Sequence, residues 1–133
     1  MRLTLFILFG LFISASAPAR AQDSGGGDPV AGEKVFLKCR TCHQIGETAK
    51  NAIGPVLNGL MGRKTGSVPG YNYSEANKNS GITWDEATFL EYIESPQVKI
   101  KGTKMPFPGL KVEKERKDVL AYIKQFDADG KKK

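Results

Sequence analysis

Three stretches of the chain carry apolar residues at helical spacing, and the segments between them lack any comparable rhythm. In the first, Asp28 is placed to cap a helix that opens on Pro29, with Val30, Ala31, Val35 and Phe36 as its apolar stripe. In the second, Thr83 followed three residues on by Glu86 reads as a capping box, which predicts a helix through Phe89, Leu90, Tyr92 and Ile93 until Pro96 stops it. The third is predicted from near Glu113 to near Phe126. Its Val119, Tyr122, Ile123 and Phe126 recur at three- and four-residue steps and offer one face to the first helix. No alternating strand pattern and no internal repeat competes, so the fold class is all-α, with the N- and C-terminal helices packed together.

Between His43 and Thr83 the chain is punctuated by Gly46, Gly54, Gly59, Gly62, Gly66, Gly70 and Gly81, with at most a short helix near Ser74 to Asn79. A compact domain rarely tolerates so much irregular chain. Three modest helices bury too little apolar area to order it, unless a large flat apolar body fills the centre.

The N-terminus has a different character. Met1-Arg2 precedes an apolar run from Leu3 to Ile13, broken only by Thr4 and Gly10, and Ala19-Arg20-Ala21 follows. This reads as a cleavable signal peptide, residues 1–21, because the run falls short of the roughly 20 residues needed to span a bilayer. The expected product has a flexible lead over 22–27, a single domain over 28–126 and a polar, basic, solvated tail over 127–133, and it is exported to the periplasm. Loss of Arg2 and Arg20 takes the formal charge from +6 to +4. A modestly basic exported monomer suits transient contact with acidic protein surfaces or anionic lipid rather than nucleic acid. No nucleic-acid motif is present, and stable membrane insertion is not expected once the signal is removed.

Chemistry enters with Cys39-Arg40-Thr41-Cys42-His43. Two thiols about one helical turn apart, with an imidazole directly behind the second, form an attachment site for haem. Both sulfurs can bond to the vinyl groups of one porphyrin while His43 faces the iron. A zinc site would have to recruit a carboxylate as a fourth ligand, and a redox dithiol is expected beside a βαβ pattern that is absent. Covalent haem is also the flat apolar body that the long loop requires.

From Asp28 to Phe126 the chain resembles a class I cytochrome c of the mitochondrial or short periplasmic kind. The resemblance rests on Gly32 with Phe36, Gly54-Pro55, Gly62-Arg63-Lys64-Thr65-Gly66, Gly70-Tyr71-Asn72-Tyr73-Ser74-Glu75-Ala76-Asn77-Lys78, Gly81-Ile82-Thr83-Trp84, Tyr92, Gly102-Thr103-Lys104-Met105 and Leu120-Ala121-Tyr122. It implies crossing terminal helices, close at Gly32 and Tyr122, with long loops wrapped around one haem c bound through Cys39 and Cys42. Gln97 and Val98 sit where some relatives carry lysines, and Pro106 and Pro108 should stiffen the loop around Phe107.

The resemblance also implies the iron site. His43 is the only histidine, so this chain offers Met, Lys, water or nothing for the sixth position, and Met105 lies in the segment that matches the family's ligand loop. The Pro55 carbonyl would hold the other imidazole nitrogen, Tyr92 would lie near the methionine sulfur, and Asn77 and Thr103 would belong to the surrounding polar network. Tyr73, Trp84 and Arg63 would surround the propionates. Lys38, Lys99, Lys101, Lys104 and Lys111 would ring the exposed haem edge. The expected function is single-electron shuttling between a membrane-bound donor complex and a terminal oxidase, reaction centre or other acceptor, without catalysis. A haem enzyme or gas sensor with an open or displaceable sixth site is the alternative.

Overall fold

The computed structural model describes residues 26–133; the signal segment and most of the lead lie outside the described residues. Among the described residues five helices follow one another: α1 (Pro29–Phe36), α2 (Glu75–Lys78), α3 (Glu86–Glu94), α4 (Pro96–Lys99) and α5 (Glu113–Lys124). Beyond them, extended pairing among the described residues is confined to two isolated bridges, Lys64 with Thr83 and Phe126 with Lys132. The fold is all-α.

Helix α1 starts where Asp28 accepts a hydrogen bond from the Val30 amide at 2.8 Å and Pro29 supplies a first residue that needs no amide partner. The buried face is Gly32, Val35 and Phe36. Val30 is 68% exposed and does not join the stripe, because two residues before Gly32 it falls on the side of the helix opposite Gly32, Val35 and Phe36. Helix α5 presents Val119, Tyr122 and Ile123 to the core, and the ring of Tyr122 meets that of Phe36 at 5.2 Å. The two helices cross closely at Gly32, where a Cβ would stand 1.9 Å from the Asp118 carbonyl oxygen and 2.9 Å from the Tyr122 Cβ. The end of the lead is drawn in as well, since a Cβ on Gly27 would lie 2.0 Å from the Lys117 carbonyl oxygen.

The capping box expected at Thr83 does not form. Asp85 is the cap of α3, accepting from the Thr88 amide at 2.7 Å, while Thr83 is held in the bridge with Lys64. A residue committed to pairing with another strand cannot also turn back over a helix start, so α3 begins at Glu86. Pro96 ends α3 and also opens α4, where it is among the most fully buried side chains. The C-terminal lysines keep their side chains exposed, yet the backbone folds back. The Lys133 amide donates to Gln125, and the Lys132 ammonium sits 5.5 Å from the Phe126 ring centroid.

Asp118 ties the terminal helices together electrostatically. Its carboxylate is nearly buried and accepts from the Asp28 amide at 2.8 Å and the Lys114 ammonium at 2.8 Å. Burial works against the charge, but the Lys114 and Asp28 bonds outweigh it and the pKa is lowered. A lowered carboxylate stabilises the fold above its unfolded value and loses that contribution as pH falls through the folded one. Asp118→Ala is therefore expected to cost about 2 kcal/mol at neutral pH, the scale of hydrogen bonds to a charged group. In urea melts the deficit should shrink as pH drops below about 3.9. A deficit that stays constant down to full protonation would assign it to packing instead.

Candidate functional site

The chain leaves α1 through further helical turns, with the Arg40 amide on the Phe36 carbonyl at 3.1 Å and the His43 amide on Cys39 at 2.9 Å. These turns place Cys39, Cys42 and His43 in the wall of a crevice. It encloses about 1270 Å³ of atom-free space, its mouth included, and its lining is largely apolar, with Leu57, Leu60, Phe89, Ile93, Phe107 and Ile123 among the contributors. All the residues expected at the site reach it: Cys39, Cys42, His43, Pro55, Arg63, Tyr73, Asn77, Trp84, Tyr92, Thr103 and Met105 line one space.

His43 is held by its neighbours. Nδ1 lies 2.7 Å from the Pro55 carbonyl oxygen, an acceptor only, so the proton resides on Nδ1 and Nε2 keeps its lone pair. The ring lies against Gly54, where a Cβ would come within 2.4 Å of Cε1. Burial lowers the pKa of the imidazole, and the Arg63 charge adds to that against the opposing Pro55 carbonyl. The side chain is thus a neutral imidazole at neutral pH, the form that ligates metal. Burial also pushes the Cys39 thiol up to about 11. Reactive thiols have lowered values, so Cys39 is poorly suited to thiolate chemistry. Among the described residues no cluster of three or more His, Cys, Asp or Glu side chains is assembled that could hold a metal ion alone.

Met105 reaches the crevice from the loop after α4. The Tyr92 hydroxyl donates to its sulfur at 3.3 Å, and the polar side chains of Thr103 and Asn77 belong to the same lining. Burial raises the Tyr92 phenol, which stays protonated and able to donate. Asn77 is itself fixed by the Ser74 hydroxyl at 2.7 Å. Trp84 packs edge-on against Tyr92 with centroids 4.9 Å apart. Arg63 donates to the carbonyls of Asn58 and Val56 and makes no ion pair among the described residues.

Haem fits this donor set and this shape. The apolar walls suit the ring, a neutral imidazole and a thioether are soft enough for its iron, and Arg63 offers a part-buried cation to carboxylates. One polar atom sharpens the point. The Thr65 hydroxyl is buried, belongs to a residue of the crevice lining and has no partner within the protein. Nothing in the sequence singles out Thr65, because a lone threonine in a glycine-rich loop gives no sign of burial. Of the five lysines expected at the rim, Lys38 and Lys104 line the crevice, Lys38 with its ammonium paired to Glu115 at 2.8 Å. Lys99 is paired with Glu91, Lys111 donates to the Glu94 carbonyl, and Lys101 is exposed away from the lining.

Residues 29–127 match the family model for cytochrome c. The chain is 60% identical over 119 residues to cytochrome c-554 of Methylosinus trichosporium, covering 90% of each protein. It is 57% identical over 129 residues to cytochrome c2 of Blastochloris viridis, covering 96% of this chain and 98% of that one. Among solved structures, cytochrome cH from Methylobacterium extorquens superposes with a TM-score of 0.70 at 44% identity, over 74% of this chain and 98% of that one. Every residue that shapes the crevice falls inside the matched span, and on that footing the chain belongs to the cytochrome c family and carries one covalently bound haem c.

Proposed function

We propose that the chain is a periplasmic one-electron carrier in which His43 and Met105 hold the iron and no substrate binds there. The observation that carries this is the pairing of a neutral, tautomer-fixed His43 with a Met105 sulfur tethered by Tyr92, both in the lining of one crevice. When bound, haem supplies reversible exchange of one electron between ferric and ferrous iron. Pro55 orients the imidazole through Nδ1, and Cys39 and Cys42 fix the ring in register with it. Met105 contributes a soft, uncharged ligand that favours ferrous iron and raises the potential. Tyr92, Asn77 and Thr103 hold the sulfur in place, while Arg63, Tyr73 and Trp84 serve the propionates. The surrounding apolar side chains exclude water.

Donor and acceptor are transient protein partners with acidic surfaces, met at the mouth where Lys38 and Lys104 lie. No helix among the described residues is long and apolar enough to cross a membrane, in keeping with a shuttle between a membrane-bound donor complex and a terminal oxidase, reaction centre or other acceptor. The test has two parts. Colour is expected to stay with the polypeptide through denaturation and acid extraction, and the reduced native protein is expected to resist carbon monoxide. Colour that washes out removes covalent attachment; immediate carbon monoxide binding transfers the protein to the open-site class of haem enzymes and sensors.

A further inference from the structure

Gln97 lies in the first turn of α4, directly after the buried Pro96 that anchors that helix in the core. Its side-chain Nε2 stands 2.7 Å from the Met105 carbonyl oxygen and 3.2 Å from the Thr103 carbonyl oxygen. Both partners are acceptors only, so the amide must present its NH2 group, whose two hydrogens serve one carbonyl each. The bonds reach six and eight residues along the chain and close the segment between α4 and Met105 into a ring.

Two other bonds restrain that segment, from the amide of the buried Thr103 to the Ile100 carbonyl at 3.0 Å and from Lys104 Nζ to the Asn72 carbonyl at 3.5 Å, and neither holds the Met105 backbone. Lys101, Gly102 and Lys104 are exposed, Gly102 takes a positive φ of 92°, and the Met105 amide has only a long contact of 3.4 Å to the Thr103 hydroxyl. Tyr92 acts on the sulfur, whereas Gln97 acts on the backbone that carries it. A displacement of the sulfur that carries its backbone outward breaks the Gln97 bonds.

We propose that Gln97 is a latch on the Met105 loop: by clamping the Thr103 and Met105 carbonyls it sets the rate at which the sulfur gives up its place to an outside ligand. The inference rests on Met105 being the sixth ligand. Gln97 touches neither iron nor sulfur and is a positioning residue. It keeps a carrier from drifting into ligand binding while leaving the resting site unchanged.

The test mixes ferric holoprotein with saturating imidazole in a stopped-flow instrument, where the limiting rate is that of loop opening. Gln97→Met keeps the length of the side chain and removes the donor, and it is expected to raise that rate about tenfold, as the loss of two modest hydrogen bonds implies. The resting ferric spectrum and the midpoint potential should not move. Gln97→Lys, whose ammonium still donates, should return the rate most of the way. With the iron–sulfur band present in the wild type, an unchanged rate in Gln97→Met overturns the latch. So does a rise that Gln97→Lys shares and that tracks a fall in the unfolding midpoint. Absence of the band from the wild type, or its survival in Met105→Ala, is a separate result that removes the sixth-ligand assignment and the latch with it.

Discussion

Met105→Ala is expected to abolish the red-edge absorption that reports iron–sulfur bonding and to let carbon monoxide bind the ferrous protein at once. The midpoint potential should fall by more than about 60 mV, the shift that a tenfold change in a one-electron equilibrium produces. The direction follows from the ligand: a neutral thioether favours ferrous iron, and losing it leaves water or an empty site. No second imidazole or thioether is ready to take over. The chain has one histidine, and Met61, the other methionine among the described residues, packs against the core outside the crevice lining. Tyr92 would lose its sulfur partner but keep its edge-on packing against Trp84, so the surrounding fold should persist and the change should be confined to the iron. Absorption spectra and a potentiometric titration on the two proteins decide it. Identical spectra and potentials would remove Met105 from the iron and with it the carrier mechanism.

How much of this could be read in advance depends on how local each signal is. Helices α1 and α5 were legible because Asp28-Pro29 and the spacing from Val119 to Ile123 act within one or two turns. The start of α3 was not, since Thr83 and Asp85 are both competent caps and the choice is made by Lys64, far away in the chain. The crevice itself was inferred from a deficit, a glycine-rich loop too long for its helices to order, and Cys39 to His43 named what fills it. Single side chains such as Tyr92 and Asn77 carried no signal beyond family resemblance. Gln97 gives no sign of its role in the sequence, because its work depends on a loop that turns back to meet it.

Gly32→Ala is the substitution expected to cost most in stability, and two opposing effects have to be weighed. Alanine is the better helix former, by about 1 kcal/mol in a helix interior. Against this, its Cβ would sit 1.9 Å from the Asp118 carbonyl oxygen and 2.5 Å from the carbonyl carbon. Backbone atoms within α5 cannot rotate aside, so the helices must part by more than an ångström-scale adjustment can hide. Parting them strains the Phe36–Tyr122 contact and the bond from the Asp28 amide to Asp118 together. Overpacking of this kind reaches about 3 kcal/mol, which exceeds the propensity gain and leaves a clear net loss. Gly26→Ala is the control, since a Cβ there meets nothing within 4 Å and should change stability by less than about 0.5 kcal/mol. Denaturant melts of the haem-bound proteins supply both numbers. The crossing of α1 and α5 brings the attachment turn and the final helix against the same crevice, so a weakened crossing should also loosen the hold on His43. If Gly32→Ala proved as stable as the control, the helices would have to slide past one another freely, and their close approach could not be what shuts the fold around its cofactor.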